Sequence, residues 1–225
     1  MVLKELIALV APPVCLVCRV PLAADAVGLC AACLRGLPWL GDRVCRRCAL
    51  PQHGGRACPA AGARFATAWA PLAYEGAALA LVRALKFRGA LQVTELMAAQ
   101  MAANAPPWAT GQATAIVPAP PVPSRTRRRG FDPAALLAAG LGRRLELPVV
   151  GCLARSGRAA RQLGARRAVR RAPGRIAIHA TAQPPPCVLL VDDVHTTGAT
   201  LAACARGLTA GGATAVHALS YARTL

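Results

Sequence analysis

Residues 187–200 constrain the fold of this chain more than any other segment. Residues 187–191 read Cys-Val-Leu-Leu-Val, an unbroken apolar run that is typical of a strand buried on both faces of a parallel sheet. Asp192 and Asp193 follow at the carboxyl end of that strand, and a loop of small residues then opens a helix. In open α/β sheets ligands bind at this edge, and free N–H groups at a helix start favour a phosphate. We therefore predict an α/β fold with a ligand site at residues 192–200.

The residue types at this edge suit a ribose phosphate. Asp192 and Asp193 can accept hydrogen bonds from the vicinal hydroxyls of a sugar, which keeps the acidic pair apart from the phosphate charge. The loop offers hydroxyl donors and a flexible main chain for the phosphate, at Thr196, Thr197, Gly198 and Thr200. The alternative is a capped strand-to-helix turn that binds nothing.

A second strand, loop and helix follow the same order earlier in the chain. Residues 113–117 are predicted to form the first buried strand of the sheet, and a proline-rich lead-in at 118–123 follows it. The next loop carries four arginines, whose guanidinium groups match phosphate oxygens in forked geometry. We predict that they bind a pyrophosphate; they are Arg125, Arg127, Arg128 and Arg129. A solvated basic loop or a nucleic-acid contact is the alternative.

Residues 155–175 contain eight arginines and show no hydrophobic periodicity. A loop of this length inside a compact domain is often functional. We predict a mobile segment that closes over a bound anion through Gln162, Arg166 and Arg167. A disordered segment with a biased composition is the alternative.

Seven of the ten cysteines precede residue 60, and their spacing is typical of zinc ligands. The first predicted four-thiolate site comprises Cys15, Cys18, Cys30 and Cys33. The second has the three thiolates Cys45, Cys48 and Cys58, and Ala61 stands where a fourth cysteine would complete it. His53 either supplies the missing ligand or is a solvated loop residue. Disulfides are the alternative to zinc, and a reducing cytosol disfavours them. A closed shell leaves no position for water, so we expect structural Zn²⁺.

Further elements follow from periodicity and capping signals. We predict a strand over residues 66–74, a helix that passes through Lys86 and ends at Gly89, helices over 91–103 and 133–145, and a last strand over 215–221. Asp132 is the expected N-cap of the helix at 133–145. Buried core positions are expected for His217 and for three further thiols, Cys152, Cys187 and Cys204.

Charge and hydropathy bound the partners of the chain. The formal net charge is +18, and 25 of the 27 basic residues are arginine. Residues 125–175 hold 14 of them, so the charge is concentrated and favours polyanionic partners. A genome-wide bias towards arginine is the alternative explanation. No charge-free apolar run reaches the roughly 18 residues that a bilayer span needs, and no secretory signal is evident. We expect a soluble, cytoplasmic protein with no membrane insertion.

Together, several of these motifs resemble the ComF family over nearly the whole chain. They are the paired cysteines, Tyr74-Glu-Gly, Leu85-Lys-Phe-Arg-Gly89, Val117-Pro, Arg129-Gly-Phe131 and residues 191–200. The resemblance implies a double zinc ribbon at residues 1–64 joined to a type I phosphoribosyltransferase domain at 65–225. It also implies a loop for phosphoribosyl pyrophosphate (PRPP) from Asp192 to Thr200, which includes His195 and Ala199, with Mg²⁺ as companion of the ligand. Some members of the family are linked to natural competence, in which single-stranded DNA enters the cytoplasm.

Two functions therefore stand as hypotheses. One is a domain that binds PRPP or a phosphorylated nucleotide; whether it catalyses transfer stays open, because no acceptor-base pocket is legible. The other is a non-catalytic protein that binds nucleic acid or serves as an adaptor of the DNA uptake machinery. A glutaminase activity is not expected, since Met1-Val2 offers no N-terminal cysteine nucleophile.

Overall fold

The computed structural model describes residues 13–23, 26–41, 43–51, 53, 57–110, 112–155 and 177–225. Gln162, Arg166 and Arg167, predicted to close over an anion, lie outside the described residues.

The described helices and strands follow one another in the order of an α/β protein. The helices are α1 (Ala31–Arg35), α2 (Gly76–Arg88), α3 (Val93–Asn104), α4 (Pro107–Thr110), α5 (Pro123–Arg129), α6 (Pro133–Leu145) and α7 (Ala199–Ala210). The strands are β1 (Thr67–Trp69), β2 (Leu72–Ala73), β3 (Ala115–Pro118), β4 (Leu153–Arg155), β5 (Ile178–Ala180), β6 (Cys187–His195) and β7 (Ala215–Arg223).

Five of these strands form one parallel sheet in the order β1, β7, β6, β3, with β2 also paired to β7. β4 and β5 form a separate antiparallel pair. Strand β6 is buried on both faces, as its unbroken apolar run predicts. Val188 and Leu190 pack on the side of α7, whereas Leu189 and Val191 pack on the side of α2, α3 and α6. The structure is thus a mixed α/β fold with a mostly parallel sheet.

Both long strands continue further than the apolar pattern predicts. β6 ends at His195 rather than at residue 191, and β7 ends at Arg223 rather than at 221. Parallel pairing persists across the polar residues, with Asp192 opposite Ser220 and His195 opposite Arg223. The two aspartates therefore lie inside the strand and not beyond its end, and their side chains alternate between its faces.

The basic segment after β3 also differs from the prediction. Residues 123–129 form helix α5 rather than a loop, with Pro123 in its first turn and Gly130 as its C-cap at φ 78°. The predicted strand over 66–74 is divided into β1 and β2. By contrast, α6 has the predicted bounds, and the Asp132 carboxylate accepts a hydrogen bond from the N–H of Ala134 at 3.0 Å.

The cysteine-rich segment covers the outer edge of the sheet. The N–H of Ala68 in β1 donates to the carbonyl of Arg46 at 2.8 Å, and the N–H of Ala73 in β2 donates to Pro38 at 2.9 Å. Leu40 in turn donates its N–H to the carbonyl of Pro71 at 2.8 Å. These bonds occupy backbone groups that an edge strand would otherwise leave free. A domain boundary at residue 64 stays a prediction.

None of the helices in the described ranges is both long enough and apolar enough to cross a membrane.

The contact between α3 and α6 depends on Gly140, because a Cβ there would lie 2.7 Å from the Cβ of Ala98. Helix propensity favours Gly140→Ala by up to about 1 kcal/mol, but overpacking of a close contact costs about 1–3 kcal/mol. We expect packing to prevail, so that urea unfolding shows a net loss of about 1 kcal/mol. The exposed Gly151, where a Cβ meets nothing within 4 Å, is the matched control. A gain in stability for Gly140→Ala contradicts the close approach of the two helices.

Candidate functional site

A cleft of about 220 Å³ opens at the carboxyl edge of the sheet, where β3 and β6 lie side by side. Its floor is made by Asp192 and Asp193 of β6. The opposite wall is made by α5 and the residues around its ends. Its polar lining consists of Lys86, Arg125, Thr126, Arg129, Asp132, Arg155, Asp192, Asp193, Thr196 and Thr200.

A second hollow of about 210 Å³ follows the loop that leads from β6 into α7. Thr197, Gly198 and Ala199 line this hollow, and Thr196 and Thr200 border both spaces. Gly198 has φ 78°, and a Cβ there would lie 2.8 Å from Nε2 of His195. The sharp turn into α7 therefore requires glycine on two grounds, backbone conformation and space.

His195 lies beneath this turn and is 3% exposed. Burial lowers the pKa of His195 to about 4, and the nearby guanidinium of Arg223 acts in the same direction. The imidazole is therefore neutral at pH 7. His195 was predicted as a member of the ligand loop; its ring lies under Gly198, and it also lines the second hollow.

Asp193 forms an ion pair that the sequence analysis did not anticipate. Nζ of Lys86, near the end of α2, lies 2.7 Å from Oδ1 of Asp193, and both side chains are largely buried. The sequence places Lys86 one turn before Gly89, where the helix was predicted to end. Residue spacing gives no indication that this end of α2 lies beside β6. Arg155 of β4 is a second cation of the cleft that the analysis missed.

Asp192 carries the electrostatic strain of the cleft. Its carboxylate accepts a hydrogen bond from the N–H of Asp193 at 2.8 Å. Burial raises the pKa of Asp192 to about 7, and the carboxylate of Asp193 adds to that rise. Burial also raises the pKa of Asp132, which faces the same cleft. Three carboxylates thus converge on one space, and they favour a proton or a cation between them.

The four predicted pyrophosphate-binding arginines do not converge. Arg125 and Arg129, four residues apart on α5, line the cleft. Arg127 lines a separate hollow, and Arg128 is exposed. Helical geometry explains the division, because only residues three or four apart share a face. Arg129 also stacks on the ring of Phe87, with its guanidinium carbon 5.3 Å from the ring centroid.

The first cysteine cluster fits a tetrahedral zinc ion. The four sulfur atoms of Cys15, Cys18, Cys30 and Cys33 lie within 4.8 Å of one another. Sγ of Cys18 is 3.6 Å from Sγ of Cys30. A Zn–S bond of about 2.3 Å in tetrahedral geometry requires a sulfur separation of about 3.8 Å. The donors are therefore placed as a four-thiolate zinc shell requires.

The second cluster contains the fourth ligand that the sequence left open. Nε2 of His53 lies 3.3 Å from Sγ of Cys48, and Sγ of Cys45 lies 4.0 Å from Sγ of Cys58. All four donor atoms fall within 4.8 Å of one another. Three thiolates and one imidazole form a closed shell for structural zinc. The predicted core thiols lie elsewhere: Cys152 and Cys204 are buried, and Cys187 is half-buried.

Residues 6–62 match the double zinc ribbon domain. The two clusters described here fall within that match, so the N-terminal part of the chain is a zinc-ribbon module. No curated protein matches the chain.

Zinc content tests the ligand role of His53. Purified protein is expected to hold two zinc ions per chain, one for each cluster, and His53→Ala is expected to retain one after dialysis against a weak chelator. His179→Ala, a substitution at the exposed middle position of β5, is the control and should leave the zinc content unchanged. Two ions in dialysed His53→Ala contradict the assignment; elemental analysis gives the count.

The pH dependence of stability tests the strain at Asp192. The folded-state pKa of Asp192 is raised to about 7, whereas an unfolded aspartate has a pKa of about 4. The free energy of unfolding should therefore fall as the pH rises from about 4 to above 7, because the buried carboxyl group loses its proton in the folded protein. Asp192→Asn should therefore match wild type at pH 4 and exceed it by about 1–3 kcal/mol at pH 8. Asp193→Asn should instead lose stability, since it leaves Lys86 without its partner. Equal unfolding midpoints for wild type and Asp192→Asn across this range contradict the strain.

Proposed function

We propose that the cleft and the adjoining loop bind PRPP or a 5′-phosphorylated nucleotide with Mg²⁺. We propose further that the α/β part has the type I phosphoribosyltransferase fold and that the chain is a ComF-like protein. The main support is the juxtaposition of an aspartate pair near the carboxyl end of the central strand with the N-terminus of α7, which begins at Ala199. That arrangement holds sugar hydroxyls and phosphate at separate places.

The 5′-phosphate is held at the start of α7. Its N-cap residue, Gly198, has no side chain that could accept from the helix, and the N–H of Ala199 donates to Oγ1 of Thr197 at 3.4 Å. The N–H groups that follow in the first turn have no intrahelical acceptor and can face an anion. Twelve residues contribute to its dipole, which favours negative charge at this end. Thr196, Thr197 and Thr200 add hydroxyl donors around the same hollow.

The ribose hydroxyls donate to Asp192 and Asp193. Lys86 holds the Asp193 carboxylate in place before any ligand arrives, which limits the ordering cost of binding. Arg125 and Arg129 face the same cleft from α5 and bind the pyrophosphate group of PRPP. Arg127 and Arg128 take no part in pyrophosphate binding, because neither lines the cleft.

Mg²⁺ suits the three carboxylates of the cleft, because hard divalent cations prefer oxygen ligands and retain several waters beside phosphates. Asp132, Asp192 and Asp193 would hold the ion between protein and pyrophosphate. When bound, it supplies positive charge that stabilises a leaving pyrophosphate. The residues of the cleft position the ribose, and the acceptor of a transfer reaction is unassigned.

Through the ComF resemblance, the proposal extends to a cytoplasmic role in natural competence. A second candidate function, binding of single-stranded DNA, is favoured by the surface beside the cleft. Phe87 is 66% exposed and carries Arg129 on its ring. Exposed Arg88 and Arg128 flank this pair in sequence. An aromatic ring among arginines is a stacking platform for bases with phosphate contacts around it.

Calorimetric titration with PRPP and Mg²⁺ tests the first function. Zinc-loaded wild type is expected to bind, and Asp192→Asn/Asp193→Asn should weaken binding by at least about tenfold, because charge-assisted hydrogen bonds to the ribose are lost. Glu75→Gln/Glu146→Gln is the matched control: it removes the same charge from exposed positions outside the cleft. Similar losses in both variants indicate a general effect of charge.

Absence of PRPP binding by folded wild type overturns the transferase proposal and leaves DNA binding as the function to test. Phe87→Ala should then weaken affinity for a single-stranded oligonucleotide, because it removes the exposed ring on which a base would stack. The affinity of the wild type should also fall steeply with salt, since counterion release drives arginine–phosphate contacts.

A further inference from the structure

Arg223, the last residue of β7, connects the zinc-ribbon module to the phosphate loop. It is 5% exposed. Its Nε–H donates to the carbonyl of Cys48, a ligand of the second zinc cluster, at 2.9 Å. Its Nη1 donates to the carbonyl of His195 at 2.9 Å and also to that of Thr196. One side chain thus bonds main-chain groups on both sides of the boundary.

A buried guanidinium is costly unless its donors are satisfied. Among the described residues, the acceptors of Arg223 are main-chain carbonyls, and no carboxylate lies within ion-pair distance. Its backbone is fixed, because Arg223 pairs with His195 in the sheet and its carbonyl accepts from the N–H of Tyr74 at 2.8 Å. The guanidinium is therefore a rigid fork between two backbone segments.

Part of this boundary is packed, because Cys48 and Ala60 of the ribbon belong to the same buried hydrophobic cluster as Leu201 and Cys204 of α7. Beside it, a hollow of about 190 Å³ lies between Ala60 of the ribbon and the loop residues Thr197 and Gly198. Arg223 lines the hollow. Arg223 bonds to the Cys48 carbonyl on one side of the hollow and to the His195 and Thr196 carbonyls on the other, so a displacement of the Cys48 backbone is transmitted to the loop through this side chain.

On the loop side, His195 and Thr196 precede the turn that presents the helix N-terminus. The ring of His195 lies directly under Gly198, where even a methyl group would not fit. The position of His195, whose carbonyl accepts from the N–H of Thr224 at 3.0 Å as well as from Arg223, therefore limits the position of the turn.

We propose that zinc at the second cluster and a phosphorylated ligand at residues 196–200 are energetically coupled through Arg223. The ligand half of this inference rests on the proposed function. Zinc fixes the backbone of Cys48, and Arg223 then holds the His195 and Thr196 carbonyls so that the loop faces the phosphate. Arg223 acts as a positioning residue. Coupling between two binding sites is reciprocal in free energy, so the ligand must also raise the zinc affinity of the second cluster, and we expect this gain to appear as slower zinc release.

Zinc release into a chelating dye tests the reciprocal effect, with ribose 5-phosphate as the probe. Saturating ribose 5-phosphate is expected to slow release from the second cluster about three- to tenfold. Release from the cluster that contains Cys15 should not change. Zinc release from wild type should have two kinetic phases, one for each cluster. His53→Ala assigns them, because this variant lacks a complete second cluster.

Two arginine variants separate coupling from simple loss of stability. In Arg223→Gln the ratio of release rates with and without ribose 5-phosphate should approach one, and Arg223→Lys should restore part of it. Arg47→Gln is the matched control, since Arg47 donates to the carbonyls of Ala60, Ala61 and Ala63 inside the ribbon. It should speed release from the second cluster and preserve the ratio. An unchanged ratio in folded Arg223→Gln overturns the proposal.

Hydrogen exchange separates this inference from the proposed function. In the absence of ligand, His53→Ala should exchange the amides of residues 196–200 at least about threefold faster than wild type. If ribose 5-phosphate fails to bind but this acceleration occurs, the ligand assignment is wrong and the connection through Arg223 stands. If the ligand binds and the loop amides do not respond, the coupling is wrong. Because His53→Ala leaves Arg223 in place, this measurement also decides the matter if both Arg223 variants misfold.

Discussion

The site depends on the parallel pairing of β6 with β3 on one side and β7 on the other. Burial on both faces fixes the register of this strand, since a slip by one residue would move Leu190 and Leu189 to opposite helix layers. Pairing then carries the register through the polar residues to His195. Asp192, Asp193 and the start of α7 are therefore positioned by hydrophobic packing that lies behind the cleft and takes no part in its chemistry.

Electrostatics in the cleft oppose the stability that packing provides. Three carboxylates converge there, and Lys86 pairs directly with one of them. The ionised forms of Asp192 and Asp132 remain unfavourable, because burial raises the pKa of both carboxyl groups. Such strain is typical of sites that receive a cation or a hydrogen-bond donor from a ligand. The free protein holds the carboxylates together because the sheet fixes Asp192 and Asp193, and the start of α6 fixes Asp132.

Local sequence signals identified those parts of the fold that depend on neighbours in the chain. Asp132 followed by Pro133 marked the start of α6 correctly, since capping is a contact across two residues. The strand at residue 187 was evident from its apolar run. Its true end was not, because polar residues that are paired in a sheet carry no hydrophobic signal. Helix α5 was missed for a related reason: its arginines form no apolar stripe, although Pro123 and Gly130 mark both of its ends.

Contacts between distant segments could not be read from the chain. Lys86 and Asp193 are far apart in sequence, and their pairing depends on where α2 ends beside the sheet. His53 was recognised as a possible ligand, but only the three-dimensional structure shows that Nε2 lies beside the thiolates. Arg223 gave no signal at all, because its acceptors are main-chain carbonyls that every residue possesses. The type of a residue indicates its partner only where few kinds of group can serve as that partner.

The hydrogen bonds from residues 38–46 to β1 and β2 protect the edge of the sheet from pairing with other chains. A small ribbon folds only when its metal is bound, and here that ribbon shields the open side of a parallel sheet. Zinc shortage would therefore expose a row of unsatisfied backbone donors and acceptors, which is a template for intermolecular β-pairing. In this architecture, metal supply governs protection against aggregation as well as the shape of the N-terminal module.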